Sequence, residues 1–276
     1  MSESETKASP YKIQVLDRAV AIISAIAESR SDAGLAELAE TVKLHKSTAH
    51  RILMILEGYR IVDRDPQTGR YRLGLRLFEL GTIAIASFNI RERARRHLER
   101  LLYEVDETVH LCVLDGGEVM YLDKYEPSRS VRMASRIGRR NPAHCTAVGK
   151  AMLAWLPERE VDEILQKHGL QRLTRNTITT PAELKIELKT IRSRGYSIDN
   201  EEVEEGVRCV GAAVLDHAGR VLGAISISAP SFRMPAEKVE IVAVSVCRAA
   251  KVLSEESGYR GPWPTQPAGT PALTSG

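Results

Sequence analysis

The chain has 276 residues, of which 43% are hydrophobic, and a formal net charge of +3 at pH 7, so its length accommodates two domains with packed cores. The N-terminus lacks the basic and then apolar pattern of a signal peptide, and the most apolar window, residues 77–90, is too short to cross a bilayer. The four cysteines show no CxxC spacing, so we expect reduced thiols in a soluble, cytoplasmic protein.

Two short amphipathic helices joined by a tight turn are the most informative feature of the chain. They follow a longer amphipathic helix over residues 15–28, which we expect to pack beneath them. The turn between the two, Lys43-Leu44-His45, is very short. Helices joined in this way predict a helix-turn-helix, whose second helix can enter the major groove of DNA. We place this domain at residues 11–73, after a polar tail at residues 1–10 that we expect to be disordered.

The polar face of the second helix carries side chains suited to DNA. They lie in its N-terminal half at offsets of three and four residues, so they share a face near the free amides of the helix start. Arg51 can form a bidentate contact with guanine, whereas Ser47 and Thr48 can donate to phosphate or to a base edge. An ordinary amphipathic surface helix is the alternative. The predicted contacts from this helix are Lys46, Ser47, Thr48, His50 and Arg51.

Two strand-like runs on either side of Asp65-Pro66-Gln67-Thr68-Gly69 predict a hairpin directly after this helix. A hairpin in that place is the wing of a winged helix-turn-helix, and an arginine at its tip can enter a minor groove. Between residues 43 and 76, eight Lys and Arg residues stand against three acidic residues, a net of +5. This concentration of charge favours a phosphate-binding surface over a merely solvated hairpin. The wing residues predicted to contact DNA are Arg64, Arg70 and Arg72.

Residues 74–89 are apolar nearly all round, with Arg76 and Glu79 as their only charges. A helix of this kind has to be buried. We therefore predict a linker helix that packs against a second subunit, in a homodimer or a homotetramer. Burial in the core of a single domain is the alternative.

Residues 90–257 form the second predicted domain. Asp115-Gly116-Gly117 and Asp216-His217-Ala218-Gly219 are turns between apolar strands, and a further strand is expected over residues 130–137. Helical periodicity precedes, separates and follows these strands. The arrangement predicts an α+β fold with a mixed, mainly antiparallel sheet. Prolines and small polar residues predict a disordered tail over residues 258–276.

The chain resembles the IclR family of bacterial transcriptional regulators from Val15 to about Ser257. The segments KSTAHRIL, IVDRDPQTGRYRLG, HCTAVGKAMLAWLP, RGYSIDNEEVEEGVRCVGAAVLD and GAISISAPSFR carry the resemblance. It implies an N-terminal winged helix-turn-helix, a C-terminal effector domain of GAF-like topology, and dimers or tetramers. We therefore expect a repressor of a catabolic operon that binds double-stranded operator DNA under the control of a small organic-acid or sugar-acid effector.

The resemblance also implies an effector pocket, which we carry over residue by residue. It falls on Ala147, Val148, Asp199, Cys209, Ser226 and Ser228. The two serines lie two residues apart on a predicted strand, so both hydroxyls point to one face. Amides at the start of the helix opened by Ala147 can hold a carboxylate. Asp199, which we expect in a turn-rich segment after Gly195, should accept a bond from a ligand hydroxyl. As alternatives, the serines would bond only within the sheet and Cys209 would be a small buried hydrophobe.

Two other functions rest on single features. Cys145 beside His144, with Asp199 elsewhere, would supply a nucleophile, a base and an orienting group. Adjacent residues rarely point at each other, however, and no nucleophile elbow or phosphate loop occurs, so we predict no enzymatic activity and no cofactor. A metal or redox sensor would use His110, Cys145, Asp199 or Cys209, which lack metal-ligand spacing.

Overall fold

The chain divides into two compact units, Met1–Phe88 and Asn89–Gly276. The computed structural model describes residues 13–29, 32–87, 90–129 and 135–264. No helix in these ranges is both long and apolar enough to span a membrane.

The described part of the N-terminal unit has four helices and a two-stranded hairpin. In chain order they are α1 (Gln14–Glu28), α2 (Leu35–Thr41), α3 (Lys46–Gly58), β1 (Val62–Arg64), β2 (Tyr71–Leu73) and α4 (Leu75–Ser87). The apolar faces of α1, α2, α3 and the hairpin meet in one core, in which Ile22, Leu38, Leu53 and Tyr71 are almost completely buried. The predicted helix-turn-helix with its wing is therefore present.

The turn between α2 and α3 depends on a left-handed residue. Lys43 has φ of +53°, which reverses the chain direction within a few residues. The amide of Leu44 then donates to the carbonyl of Ala39 over 2.8 Å and closes the turn. This geometry directs α3 away from α2 and leaves the polar face of α3 in solvent.

The C-terminal unit has a six-stranded sheet with helices on both faces. Its elements are α5 (Ile90–Val105), β3 (Thr108–Asp115), β4 (Glu118–Tyr125), β5 (Arg140–Pro142), α6 (Ala147–Leu153), α7 (Glu158–His168), α8 (Pro181–Arg194), β6 (Ser197–Asn200), β7 (Val207–Leu215), β8 (Val221–Pro230), a 3₁₀ turn (Ser231–Arg233) and α9 (Ala236–Glu256). The strand order is β5-β4-β3-β8-β7-β6, and every pair of neighbours is antiparallel.

The two faces of this sheet build two separate cores. α5 and α9 pack on one face, and α6, α7 and α8 pack on the other. Because successive strand residues point to opposite faces, Ile225 and Ile227 enter the α5–α9 core, while Ala224 enters the α6 core. Ser226 and Ser228 therefore share the α6 face, as the sequence predicts. The α+β fold class is confirmed.

Two details of the predicted sheet are wrong. The strand expected over residues 130–137 is not formed by its described part, residues 135–137; the strand of that region is β5, after Gly138. The backbone turns at Gly138, whose φ is +81° and whose amide donates to the carbonyl of Tyr121. Asp199, expected in a turn-rich segment, lies in the edge strand β6 and pairs with Cys209.

The predicted C-terminal disorder does not hold at the start of the tail. Tyr259 is only 8% exposed, and its hydroxyl donates to the carbonyl of Pro262 over 3.0 Å. Trp263 stacks on Trp155 with ring centroids 6.3 Å apart. Burial of this aromatic area outweighs the disorder-promoting composition of the segment. Three predicted parts lie outside the described residues: the tail at residues 1–10, the remainder of the C-terminal tail from residue 265 on, and the last two residues of the linker.

Candidate DNA-binding surface and effector pocket

The polar face of α3 is accessible. Lys46, Ser47 and Arg51 are exposed, and Thr48 and His50 are half-buried, whereas the opposite face of the helix is buried. Among the described residues no side chain caps the helix start, which leaves the amides of Lys46 and Ser47 able to bind an anion. Within the described ranges, neither Lys46 nor Arg51 forms an ion pair. The structure thus brings all five predicted helix contacts to one outward surface.

The wing is held in shape by the turn at its tip. The Oδ1 atom of Asp65 accepts bonds from the amides of Gln67 and Thr68 over 2.8 and 2.9 Å. These bonds hold the pKa of that carboxyl below its usual range. Arg64 lies over the ring of Tyr71, 5.7 Å from its centroid. Arg72 is exposed on β2. The wing therefore presents Arg64 and Arg72 to solvent on a rigid hairpin.

Arg70 is placed differently from the other predicted DNA contacts. Its Nε donates to Asp32 over 2.6 Å, and its terminal nitrogens donate to Glu37 on α2 over 2.9 and 3.3 Å. Glu37 also accepts from the amide of Gly34 at the start of α2. The guanidinium thus ties the wing to α2, which makes its predicted contact with DNA the least supported of the eight.

These contacts lead to a prediction about the role of Arg70. If Arg70 positions the wing, Glu37→Gln should weaken DNA binding in the same direction as Arg70→Ala, and the double variant should be hardly worse than Arg70→Ala alone. The dependence of the binding constant on salt should keep its slope, because no phosphate contact is lost. Salt titrations of the three variants on one duplex measure both. A slope reduced by about one in Arg70→Ala alone would show a phosphate contact instead.

The six predicted effector residues line one pocket of about 150 Å³ between the sheet and the start of α6. The strand register explains how they meet. Asp199 pairs with Cys209, and Cys209 pairs with Ser228, so three strands place these side chains in one row. Ser226 lies in the adjacent row, opposite His110 of β3.

The start of α6 lies directly against the sheet. A Cβ atom on Gly211 would lie 3.0 Å from the Ala147 carbonyl carbon, a tighter contact than usual, so glycine favours this close approach. The hydroxyl of Ser197 donates to the Ala147 carbonyl, and the Thr146 hydroxyl accepts from the Gly149 amide over 3.2 Å. These bonds hold Ala147 and Val148 in the wall of the pocket.

Several side chains that line the pocket, His110 and Tyr121 among them, were not predicted as effector contacts from the sequence. His110 bonds to the Ser135 hydroxyl over 2.7 Å and to the Ser228 hydroxyl over 3.4 Å. Its ring packs edge-on against Tyr121, with centroids 5.0 Å apart. Burial, with a smaller effect of nearby Lys124, lowers the pKa of His110 to about 3, so the ring is neutral. Side chains alternate between the two faces along β3, so His110 lies on the same face as Cys112. This alternation was the signal in the sequence that could have assigned His110 to a face of the sheet.

Asp199 is one of two acidic side chains that line the pocket, and it is buried. Burial, together with a smaller repulsion from the Glu202 carboxylate, raises the pKa of the Asp199 carboxyl to about 7. The hydrogen bond that the Glu202 amide donates to this carboxyl over 2.7 Å acts in the opposite direction. Glu202 forms a buried ion pair with Lys150 of α6. Although Cys209 keeps some exposure to the pocket, burial of its thiol raises the pKa well above the ordinary value. The thiol is thus protonated, and Asp199 is the only wall group that titrates near neutrality among the described residues whose shift is resolved.

The structure does not arrange His144 and Cys145 as the base and nucleophile of an enzyme. His144 bonds to the Gln171 carbonyl over 3.1 Å, and the Cys145 thiol faces the Pro142 carbonyl at 3.9 Å. Burial raises the pKa of Cys145 to about 12, the opposite of an activated nucleophile. The described ranges contain no group of three or more His, Cys, Asp or Glu side chains arranged to hold a metal ion.

Comparisons with known proteins cover both units of the chain. Residues 15–66 match the family described as the IclR helix-turn-helix domain, and residues 82–255 match the family described as bacterial transcriptional regulator IclR C-terminal. The chain is similar to the transcriptional regulator XynR of Escherichia coli, at 35% identity over 90% of this chain and 98% of that protein. It is also similar to the transcriptional repressor IclR of E. coli, at 34% identity over 87% and 88%.

Solved structures show the same fold. The Thermotoga maritima IclR has 38% identity and a TM-score of 0.76, covering 90% of this chain and all of that one. An IclR homologue of Microbacterium hydrocarbonoxydans, solved in complex with 4-hydroxybenzoate, has 26% identity and a TM-score of 0.75 over 88% of this chain and all of that one. These relatives are transcriptional regulators and not enzymes. With its winged helix-turn-helix, its six-stranded sheet domain and these matches, the chain belongs to the IclR family of bacterial transcriptional regulators.

Proposed function

We propose that this regulator is a repressor of a catabolic operon and that a small hydroxylated organic acid controls its affinity for operator DNA. The observation that carries the proposal is the convergence of Asp199, Cys209, Ser226 and Ser228 on one pocket in a chain whose other unit exposes a recognition helix. The similarity to a transcriptional repressor supports the direction of regulation. A protein with both parts can couple a metabolite to DNA occupancy if the ligand favours one arrangement of the DNA-binding units.

The DNA side of the proposal rests on α3 and the wing. The amides at the start of α3 and the side chains of Lys46 and Ser47 suit phosphate, and Arg51 suits a guanine edge. Two identical recognition helices related by a two-fold axis require related half-sites. We therefore expect the operator to be a short, near-palindromic duplex.

Arg51→Ala is expected to weaken operator binding by about 1–3 kcal/mol and to relax sequence preference. Arg51 is exposed on α3 and has no ion pair in the described ranges, so its removal leaves the fold intact. Selecting duplexes from a random pool with the intact chain identifies the operator. Titrations of the selected and a scrambled duplex then measure affinity and preference.

Arg93→Ala is the matched control for Arg51→Ala. It removes the same charge from an exposed position of α5, in the unit that is not proposed to touch DNA. Its operator affinity should equal that of wild type. If Arg51→Ala kept wild-type affinity and preference, the assignment of α3 as the recognition helix would be wrong.

The effector side rests on the polar character of the pocket. The row of Asp199, Cys209 and Ser228 can exchange hydrogen bonds with ligand hydroxyls, and neutral His110 behind the row can hold the Ser228 hydroxyl. A relative of the same fold is known in complex with 4-hydroxybenzoate, an acid with one hydroxyl. This supports a hydroxylated acid as the class of ligand for the present chain.

Effector binding is expected to tighten as the pH rises through about 7. The pKa of Asp199 is raised to about 7, and a ligand hydroxyl that donates to the carboxylate would lower that pKa in the complex. The hydrogen bond from the ligand hydroxyl to ionised Asp199 therefore contributes fully above pH 7. Below pH 7 the effector affinity falls by up to about tenfold per pH unit. His110, with a pKa of about 3, contributes nothing in this range.

Calorimetry on both sides of neutrality, in buffers of different ionisation enthalpy, measures this proton release. Asp199→Asn should abolish the pH dependence, because it keeps the shape of the side chain and removes its titration. An affinity that weakens as the pH rises would contradict the proposed contact.

The assembly is proposed to be a homodimer or a homotetramer built through α4. Leu75 and Phe78 of this helix are 64% and 72% exposed. Large apolar side chains this open favour burial by a partner. Dimers of this kind would present two copies of α3 to one duplex.

A further inference from the structure

The charges around the effector pocket are unbalanced. Its lining includes two acidic side chains, Asp199 and Glu204, and one guanidinium, that of Arg139. His110 adds no charge, because burial lowers its pKa to about 3. An acid entering this pocket would therefore meet repulsion unless its anionic group lies close to Arg139.

Arg139 has the properties of a ligand contact and not of a structural ion pair. Its side chain is exposed, and within the described ranges it forms no ion pair or side-chain hydrogen bond. The next residue, Arg140, pairs with the carboxylates of both Asp115 and Glu118. The backbone of Arg139 is fixed, since its amide donates to the Arg136 carbonyl and its carbonyl accepts from the Tyr121 amide.

The topology places Arg139 across the pocket from the hydroxyl-binding row. Arg139 directly precedes β5, at one edge of the sheet, whereas Asp199 lies in β6 at the other edge. Both nevertheless line the same pocket. A ligand that spans it would meet an acceptor, Asp199, at one end and a cation at the other.

We propose that Arg139 binds the anionic group of the effector and selects acids over uncharged hydroxyl compounds. The proposal rests on the proposed effector function of this pocket. It assigns the carboxylate to the guanidinium, which can bind it through two parallel hydrogen bonds, and not to the short helix α6. The effector is then a hydroxy acid whose carboxylate and hydroxyl groups lie at opposite ends of the molecule.

The test uses the full chain and hydroxy acids paired with uncharged analogues of the same shape. The probes are 4-hydroxybenzoate with 4-hydroxybenzamide and gluconate with glucitol, titrated by calorimetry. Wild type should bind an acid at least about tenfold more tightly than its uncharged partner. Arg139→Ala should lose about 10- to 100-fold for the acid and stay within about twofold for the analogue, which removes the preference.

Arg136→Ala is the matched control, because Arg136 is exposed in the same turn and does not line the pocket. It should keep the wild-type preference. If Arg139→Ala weakened acid and analogue equally, or neither, while Ser226→Ala with Ser228→Ala weakened both, the pocket would stand and the role of Arg139 would be refuted. If wild type bound none of the four probes, both the proposed class of effector and the role of Arg139 would be refuted.

Discussion

A fragment ending at Gly74 is expected to be folded and monomeric and to bind the operator about 100- to 10,000-fold more weakly than the full chain. The described N-terminal unit has its own core, and the Gly74 amide still donates to the Ile61 carbonyl in the fragment. Removal of α4 takes away the exposed Leu75 and Phe78, which we propose as part of the subunit interface. A monomer engages only one half-site at a time, so the avidity of two linked recognition helices is lost.

A second fragment, ending at residue 87, is the control for this prediction. It retains α4 and should recover both the dimer and much of the affinity. Light scattering gives the mass of each fragment, and operator titration gives its affinity. A stable dimer of the shorter fragment would place the interface elsewhere in the N-terminal unit.

Replacing Ser226 and Ser228 together by Ala is expected to weaken effector binding by about 10- to 100-fold, since each lost hydrogen bond contributes about 0.5–1.5 kcal/mol. Both hydroxyls face the pocket, and Ser228 also lies within 3.4 Å of His110, which would lose that partner. Operator affinity without effector should stay near that of wild type, because the serines are in the unit that is not proposed to contact DNA. Calorimetry with the effector and operator titration without it measure the two quantities.

The control for the double variant removes two hydroxyls that do not reach the pocket. In the part of the chain that the structure describes, the Ser193 and Ser257 hydroxyls bond only to carbonyls in their own helical turns. Ser193→Ala with Ser257→Ala should leave effector binding unchanged. Wild-type effector affinity in the Ser226 and Ser228 double variant would show that the pocket has been placed wrongly.

Local patterns were enough to predict much of this fold. Helical periodicity located α1 and α3, because an amphipathic helix repeats its apolar face within its own sequence. The residues Asp216–Gly219 marked the turn between β7 and β8, since glycine and aspartate suit its backbone geometry. The alternation of Ser226 and Ser228 likewise fixed a common face.

Features that depend on distant partners could not be predicted in this way. In the sequence, Arg70 cannot be distinguished from the other arginines of the wing. Its partners Asp32 and Glu37 lie 38 and 33 residues away in the chain, and only the fold brings them beside it. Arg139 joins Asp199 in one pocket only because the sheet brings its two edges to the same cavity. The order at Tyr259 depends on burial in a core of the C-terminal unit, which cannot be predicted from the composition of its own segment.

The most direct test of the central claim is the dissociation constant of the selected operator with and without saturating effector. Operator affinity should change by about 5- to 150-fold, which corresponds to a coupling of about 1–3 kcal/mol. Linkage requires that the operator change the effector's dissociation constant by the same factor in the reciprocal titration. An operator affinity that stays constant at every concentration of a bound effector would contradict the account, because the pocket would then have no influence on DNA.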